Sequence, residues 1–321
     1  MSGYTVITWF MVGGDQSWSL AHNPQTGSRR EVGPVWATMA SAGGFHTVLL
    51  RSDGCAVACG RNIERQCDIP PLEKGISYVQ VSGGQYHTVL LQSDGHVGVC
   101  GSNDYGQCNV PDLDEDTTYL QISAGAYHTV LLQSDGSAIA SGLNENGQCD
   151  PPPLEEGMSY TQVSAGWLHT VLLRSDGRTV ACGGNGGGQC HIPQLDNGLH
   201  YTQVSAGRHH TALLRSDVAV VACGCNDEGQ CNIPPLDEGI SYVQVSAGTH
   251  HTALLRSDGR AVACGQNDFG QCNIPQLRGK TRYTQVSAGQ FQTVLIRDDG
   301  LGAACGSGSS IPVPEGWIRY G

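Results

Sequence analysis

Short apolar runs, set off by Gly, Asp-Gly and Pro, recur along this chain in one order. Around Ser246 the stretch Tyr242-Val243-Gln244-Val245-Ser246-Ala247-Gly248 alternates as a half-buried strand does, and a tight corner through His251 leads into Thr252-Ala253-Leu254-Leu255-Arg256. That second run is apolar on both faces, which predicts a strand sandwiched between neighbouring sheets. Ser257-Asp258-Gly259 predicts a hairpin turn, because Asp-Gly tolerates the positive φ such turns require, and Ala261-Val262-Ala263-Cys264 returns as a third strand. Gln266-Asn267-Asp268-Phe269-Gly270 predicts the next turn. Gln271-Cys272-Asn273-Ile274, closed by Pro275, is expected as a short fourth strand at the outer edge, where a residue without an N–H does least harm.

The unit repeats: Ser41, Ser82, Ser123, Ser164, Ser205, Ser246 and Ser287 stand 41 residues apart. A period near 40 with several short strands per unit is the signature of a β-propeller. The expected fold is therefore all-β, a seven-bladed propeller of four-stranded antiparallel blades, in one domain spanning residues 1–321 with the repeats over 41–321. The small residues of the third strand are read as positions near the axis, where blades converge. The seventh unit stops short, since Cys305 is followed by Gly306-Ser307-Gly308-Ser309-Ser310 instead of Asn-x-x-Gly-Gln-Cys. Trp9 and Gln16 have the separation of Cys264 and Gln271, so residues 4–20 are expected to complete the last blade and close the ring.

Composition narrows the function. The 45 glycines and only 6% aromatic residues suit tight turns and thin sheets rather than amphipathic helices. No apolar run approaches a membrane span, and Met-Ser-Gly-Tyr-Thr lacks the basic start of a signal peptide, so the expectation is an intracellular protein, cytoplasmic or nuclear, with no membrane partner. A formal charge of −12 disfavours nucleic acid, whose binding depends on Lys and Arg, and favours a protein partner with a basic surface. Acidic residues gather between repeats, as in Asp112, Asp114, Asp116, Glu155 and Glu156, whereas the sixth such loop carries Arg278, Lys280 and Arg282. One rim of the ring is expected to be negative.

Three sets of residues carry candidate chemistry. His46, His87, His128, His169, His210 and His251 form one ring, with Gln292 in the seventh place. A group repeated in every blade and replaceable by Gln reads as a structural hydrogen-bonding residue rather than a catalytic or metal-binding one. Cys59 and Cys67, and four further pairs, sit eight residues apart, but Cys149 and Cys305 lack mates and no Cys-x-x-Cys occurs; the cysteines are read as free, with neither a disulfide framework nor zinc. The two residues before each corner histidine do vary. They supply the candidate partner-binding residues Phe45, Tyr86, Tyr127, Trp167, Arg208, His209, His250 and Phe291, a varied set on a fixed frame. No catalytic set and no cofactor-binding loop stands out.

Val-Ser-Ala-Gly-x-x-His-Thr-x-x-Leu, then Ser-Asp-Gly, then Asn-x-x-Gly-Gln, resembles the regulator of chromosome condensation repeat family along nearly the whole chain. One departure is Cys-Gly where the family usually has Trp-Gly, a Trp kept here only at Trp9. The family includes a guanine-nucleotide exchange factor, an ultraviolet-B photoreceptor and propeller domains of larger assemblies. Exchange activity in the family uses an inserted β-wedge, and the uniform spacing from Ser41 to Ser287 admits none. The photoreceptor resemblance would require Gly-Trp-Arg-His-Thr corners in adjacent repeats; Gly166-Trp167-Leu168-His169-Thr170 is a single near match with Leu at the Arg position. The expected function is a non-enzymatic interaction scaffold or assembly subunit without cofactor, ahead of a regulator of a small GTPase, an enzyme working at the pole of the channel, or a photoreceptor.

Overall fold

The computed structural model describes residues 35–307 apart from 115 and 197, together with the backbone of residues 6–7, 19–22, 29–32 and 318–319. Seven antiparallel sheets follow one another along the chain, their first strands beginning at Ala37, Tyr78, Tyr119, Tyr160, Tyr201, Tyr242 and Tyr283 (blades 1 to 7). In blade 3 the strands are Tyr119–Ala124, His128–Gln133 and Ala138–Gly142. Each first strand is bulged after its first residue; the extra residue, such as Leu120, points to solvent while Tyr119 turns inward.

Among the described residues each blade has three strands where four were expected, and only the last gains a fourth, Ile318–Arg319, which runs parallel to Gly302–Gly306. The segment expected as the fourth strand spends its N–H groups locally. In blade 2, Gly106 N–H donates to Asn103 O at 3.1 Å, Cys108 N–H to Asn103 Oδ1 at 2.8 Å and Asn109 N–H to Gly106 O at 3.0 Å. With those donors satisfied in a turn, and Pro111 next, no ladder forms. Most of residues 4–20 lies outside the described residues; of the described pieces, Val6–Ile7 pairs with Ser19–His22, not with the last blade.

The small third strand is also placed differently from expectation. First strands of adjacent blades contact one another, and the axis is lined by the Ala-Gly corners that follow them, among them Ala42, Gly43 and Gly44. The third strand is the outer one. Its alanines are small because the connection to the next blade lies on them: Ala261 and Ala263 pack with Ile274, Leu277 and Tyr283. That connection is pinned by the tyrosine opening each of blades 2 to 7, as in Tyr119 O–H donating to Pro111 O at 2.8 Å.

The seams between blades share one polar joint. His46 Nε2 lies 2.8 Å from Thr88 Oγ1, and the Thr88 hydroxyl donates to Gln66 O at 2.7 Å, so the imidazole of blade 1 and the Asn62-Ile63-Glu64-Arg65-Gln66 turn of the same blade grip one threonine of blade 2. Because the hydroxyl proton goes to the carbonyl, Nε2 carries the ring proton, and Nδ1 is left buried without a partner in all six histidines. The joint recurs at His87–Thr129, His128–Thr170, His169–Thr211, His210–Thr252 and His251–Thr293. At the last seam Gln292 Nε2 donates to Thr47 Oγ1 at 3.1 Å, an amide in place of the imidazole N–H. Ser41 Oγ accepts from Gly83 N–H at 2.9 Å, and Ser287 Oγ accepts from Ala42 N–H at 2.9 Å, so the seam between blades 7 and 1 is joined as the others are.

Glycine at the corner is a packing requirement: a Cβ on Gly43 would stand 2.6 Å from Gly84 O and 2.7 Å from the His46 ring. Burial holds these imidazoles neutral, with His128 pushed down to about 4 and His87 to about 3.

The histidines make the ring acid-sensitive. A histidine neutral when folded but protonated near 6.5 when unfolded leaves stability whole above 6.5 and lowers it as pH falls towards 4, by about 1 kcal/mol per pH unit for each site. His128→Gln, which copies blade 7, should fold at pH 7 and flatten the dependence of unfolding free energy on pH by one proton between pH 6.5 and 4; an unchanged slope in urea titrations would count against this assignment.

A second expectation comes from the hairpin of blade 5, where Val218 takes the place of glycine at φ 62°. A β-branched residue in the left-handed region costs about 1–2 kcal/mol. Val218→Gly should raise the urea midpoint, with about 1 kcal/mol of added stability.

Candidate protein-interaction site

Every blade runs its first strand towards the same end of the ring, turns at the corner histidine, and brings its third strand back to that end. The corner and the Asn-x-x-Gly-Gln turn therefore meet there, tied by Ser102 N–H to Tyr86 O at 2.9 Å and Leu143 N–H to Tyr127 O at 2.9 Å. The acidic inter-blade loops and Ser-Asp-Gly hairpins lie at the opposite end, linked by bonds such as Ser93 N–H to Ser77 O at 2.8 Å. Two of those acids face strand-end guanidiniums, Asp237 at 3.2 Å from Arg256 and Glu155 at 3.9 Å from Arg174. The expected negative rim and the variable corners thus occupy different faces.

All eight candidate residues reach the corner face, in two circles. Trp167 and Arg208 hold the inner position, around an axial hollow of about 100 Å³, with Gln85 and Gln290. Gly44 leaves space there, and Gln85 uses it to donate from Nε2 to Gln290 Oε1 at 2.7 Å. Phe45, Tyr86, Tyr127, His209, His250 and Phe291 hold the outer position, all half-buried. The structure joins the aromatic members into one arc: Phe291–Phe45 with centroids 6.5 Å apart, Phe45–Tyr86 6.0 Å, Tyr86–Tyr127 6.0 Å and Tyr127–Trp167 5.7 Å, the last edge-on at 88°.

The arc ends at a basic centre. Arg208 lies 4.3 Å from the Trp167 ring centroid, and its Nη1 is 3.3 Å from His250 Nε2. Burial first, and then the Arg208 charge, hold both His209 and His250 below the ordinary imidazole range. The six corner histidines, by contrast, are fully buried in the seams and take no part in this surface.

The turns add residues absent from the sequence-based set. Tyr105, 50% exposed, meets Tyr127 edge-on at 5.2 Å, and Phe269, 46% exposed, meets Phe291 at 4.6 Å. Arg61 lies over Phe45 at 5.2 Å and Tyr86 at 5.8 Å. Phe45, Phe269, Phe291 and Arg61 line a notch of about 410 Å³ between blades 7 and 1. The signal was in the sequence: the residue before Gly in Asn-x-x-Gly-Gln varies from blade to blade as the corner tips do, being Tyr105, Asn146, Gly187, Glu228 and Phe269 in blades 2 to 6.

The described residues hold no group of three or more His, Cys, Asp or Glu placed to bind a metal ion. None of the 14 cysteines is joined in a disulfide. Burial pushes the thiols up, Cys67 to about 11 and Cys100 to about 12, and Cys108 Sγ–H donates to Ser102 O at 3.1 Å.

The model of the regulator of chromosome condensation (RCC1) repeat matches residues 40–66, 78–107, 120–148, 160–189, 201–230 and 242–271. The chain belongs to the RCC1 repeat family. Among solved structures it is similar to Prp20p of Saccharomyces cerevisiae, with 19% identity, 84% of this chain and 82% of that chain covered and a TM-score of 0.67. Human WBSCR16 shares 16% identity over 84% of this chain and 89% of its own, with a TM-score of 0.69. The CRINKLY ectodomain of the Arabidopsis thaliana receptor kinase ACR4 shares 20% over 87% and 99%, with a TM-score of 0.68. No curated protein sequence matches. At these identities the likeness to solved structures establishes the RCC1 propeller fold.

The Arg208–His250 contact makes a measurable claim. Arg208→Gln should raise the His250 pKa towards 6.5 in an NMR titration, because it removes a positive charge that disfavours the imidazolium; an unmoved titration would show that the contact is not formed in solution.

Proposed function

We propose that this RCC1-repeat protein is a non-enzymatic interaction scaffold or assembly subunit that docks a protein partner on the corner face. The observation carrying this reading is the convergence of the eight candidate corner residues, from seven blades, into one half-buried aromatic and basic surface on the ring. Rigid, half-buried aromatics and arginines lose little freedom on binding and dominate interface energies. The corner histidines support a structural reading, since each spends its N–H on the next blade's threonine. A family relative points the same way: Prp20p is described for its binding to Gsp1p and histones.

Capture from native lysate should retain a partner on the wild type and lose it on Tyr86→Ala/Tyr127→Ala/Trp167→Ala, once circular dichroism has shown both to be folded. Partners retained equally by both would move the docking surface to the acidic end. Accelerated release of labelled nucleotide from a captured GTPase would replace the scaffold reading with that of a GTPase regulator.

A further inference from the structure

The aromatic arc is built as a platform for cations, and three of its rings already hold the chain's own. Arg61 sits over Phe45 and Tyr86, and Arg208 sits over Trp167. Between them, Tyr105 and Tyr127 carry no guanidinium among the described residues. The two rings meet at 67°, with Tyr86 and Trp167 flanking Tyr127 at 6.0 and 5.7 Å, so they form a concave corner rather than a flat stack. Steeply inclined rings with electron-rich faces, half exposed at Tyr105, can receive an ammonium or guanidinium group.

Charge around the corner agrees with the rings. Asp104 precedes Tyr105 in its turn, and Glu145 lies in the next turn, which packs through Asn146 on Gly184 beside the Trp167–Leu168 corner. Both carboxylates are exposed, and neither forms an ion pair among the described residues. Of the nearby cations, Arg61 faces Glu64 at 3.6 Å and Arg65 faces Asp68 at 2.9 Å, while the Arg208 charge reaches Tyr127 from the Trp167 side; the Asp104 carboxylate accepts from Ser102 Oγ at 3.0 Å and adds negative charge next to Tyr105.

We propose that Tyr105, Tyr127 and the flanking Asp104 and Glu145 form a subsite for a lysine or arginine side chain of the docked partner. The subsite rests on the corner face being the docking surface, and it specifies that partner as one that presents a cationic segment. The rings supply the contact and the two carboxylates supply attraction at longer range, so the two contributions separate by mutation and by salt.

Fluorescein-labelled hexa-arginine and hexa-lysine, with hexa-aspartate as control, can be titrated against the full chain by anisotropy at about 150 mM salt. The cationic peptides should bind and hexa-aspartate should not. Tyr105→Leu/Tyr127→Leu should weaken binding at least about fivefold, whereas Tyr105→Phe/Tyr127→Phe, which keeps the rings, should stay within about twofold. Asp104→Asn/Glu145→Gln should weaken binding mainly at low salt. Equal binding by the Leu variant, or no preference of the wild type for cationic over acidic peptide, would overturn the subsite. Should the corner-face alanine variant lose a captured partner while the cationic peptides fail to bind, the docking surface would stand and the cationic assignment alone would fall.

Discussion

A single hydroxyl group per blade holds this ring together. At six of the seven seams a threonine accepts the imidazole N–H of the preceding blade and gives its own proton to the turn after that blade's third strand, through Gln66 O at the first seam and Gln271 O at the sixth, while at the seventh Thr47 takes an amide N–H from Gln292. Three pieces of chain meet in one buried bond pair, at a point from which water is excluded. There an unmade hydrogen bond carries its full desolvation cost, so the geometry is tightly determined. The serine and glutamine of the first strand repeat the device nearer the axis, as Ser82 Oγ accepting from Ala124 N–H and Gln80 Oε1 from Ile122 N–H. Blade 1 carries Met39 at the glutamine position, so the seam to blade 2 lacks that bond.

The corner face inherits its order from these joints. Because the histidine, the threonine and the glycine before them are committed to the seam, the two residues between Gly and His are the only corner positions free to vary without loosening the ring. They lie on a backbone clamped from both sides: Tyr86 O accepts from Ser102 N–H, while Gln85 N–H donates to Gly125 O. Aromatic side chains held this way contact the next blade's corner at nearly constant spacing, 6.0 Å for both Phe45–Tyr86 and Tyr86–Tyr127. The arc is thus a product of the repeat, and its chemistry a product of the departures from it.

Much of this was legible along the chain. The interval between Ser41 and Ser287 determines the number of blades, the Asp-Gly turns give the hairpins, and the exchange of His for Gln292 identifies the corner group as a hydrogen-bonding one. Two expectations failed for local reasons. Gln271-Cys272-Asn273 has strand-like composition, yet Asn267 Oδ1 captures the Cys272 N–H at 2.9 Å and a turn replaces the fourth strand. The alanines of the third strand were assigned to the axis because small residues suit crowding, but the crowding comes from the inter-blade connection on the outside of the ring.

The sequence by itself determined the repeat, the strand order within it and the positions at which blades may differ, because those follow from periodicity and from the backbone preferences of Gly, Asp and Pro. Only the tertiary structure decided which distant residues share a surface. Tyr105 meets Tyr127 from a different blade, Phe269 joins Phe291 and Phe45, and Arg208 settles on Trp167. Those meetings depend on how far a turn of one blade leans over the corner of the next. That lean is set by the threonine joint, a contact between residues about 20 and 40 positions apart that no local pattern encodes.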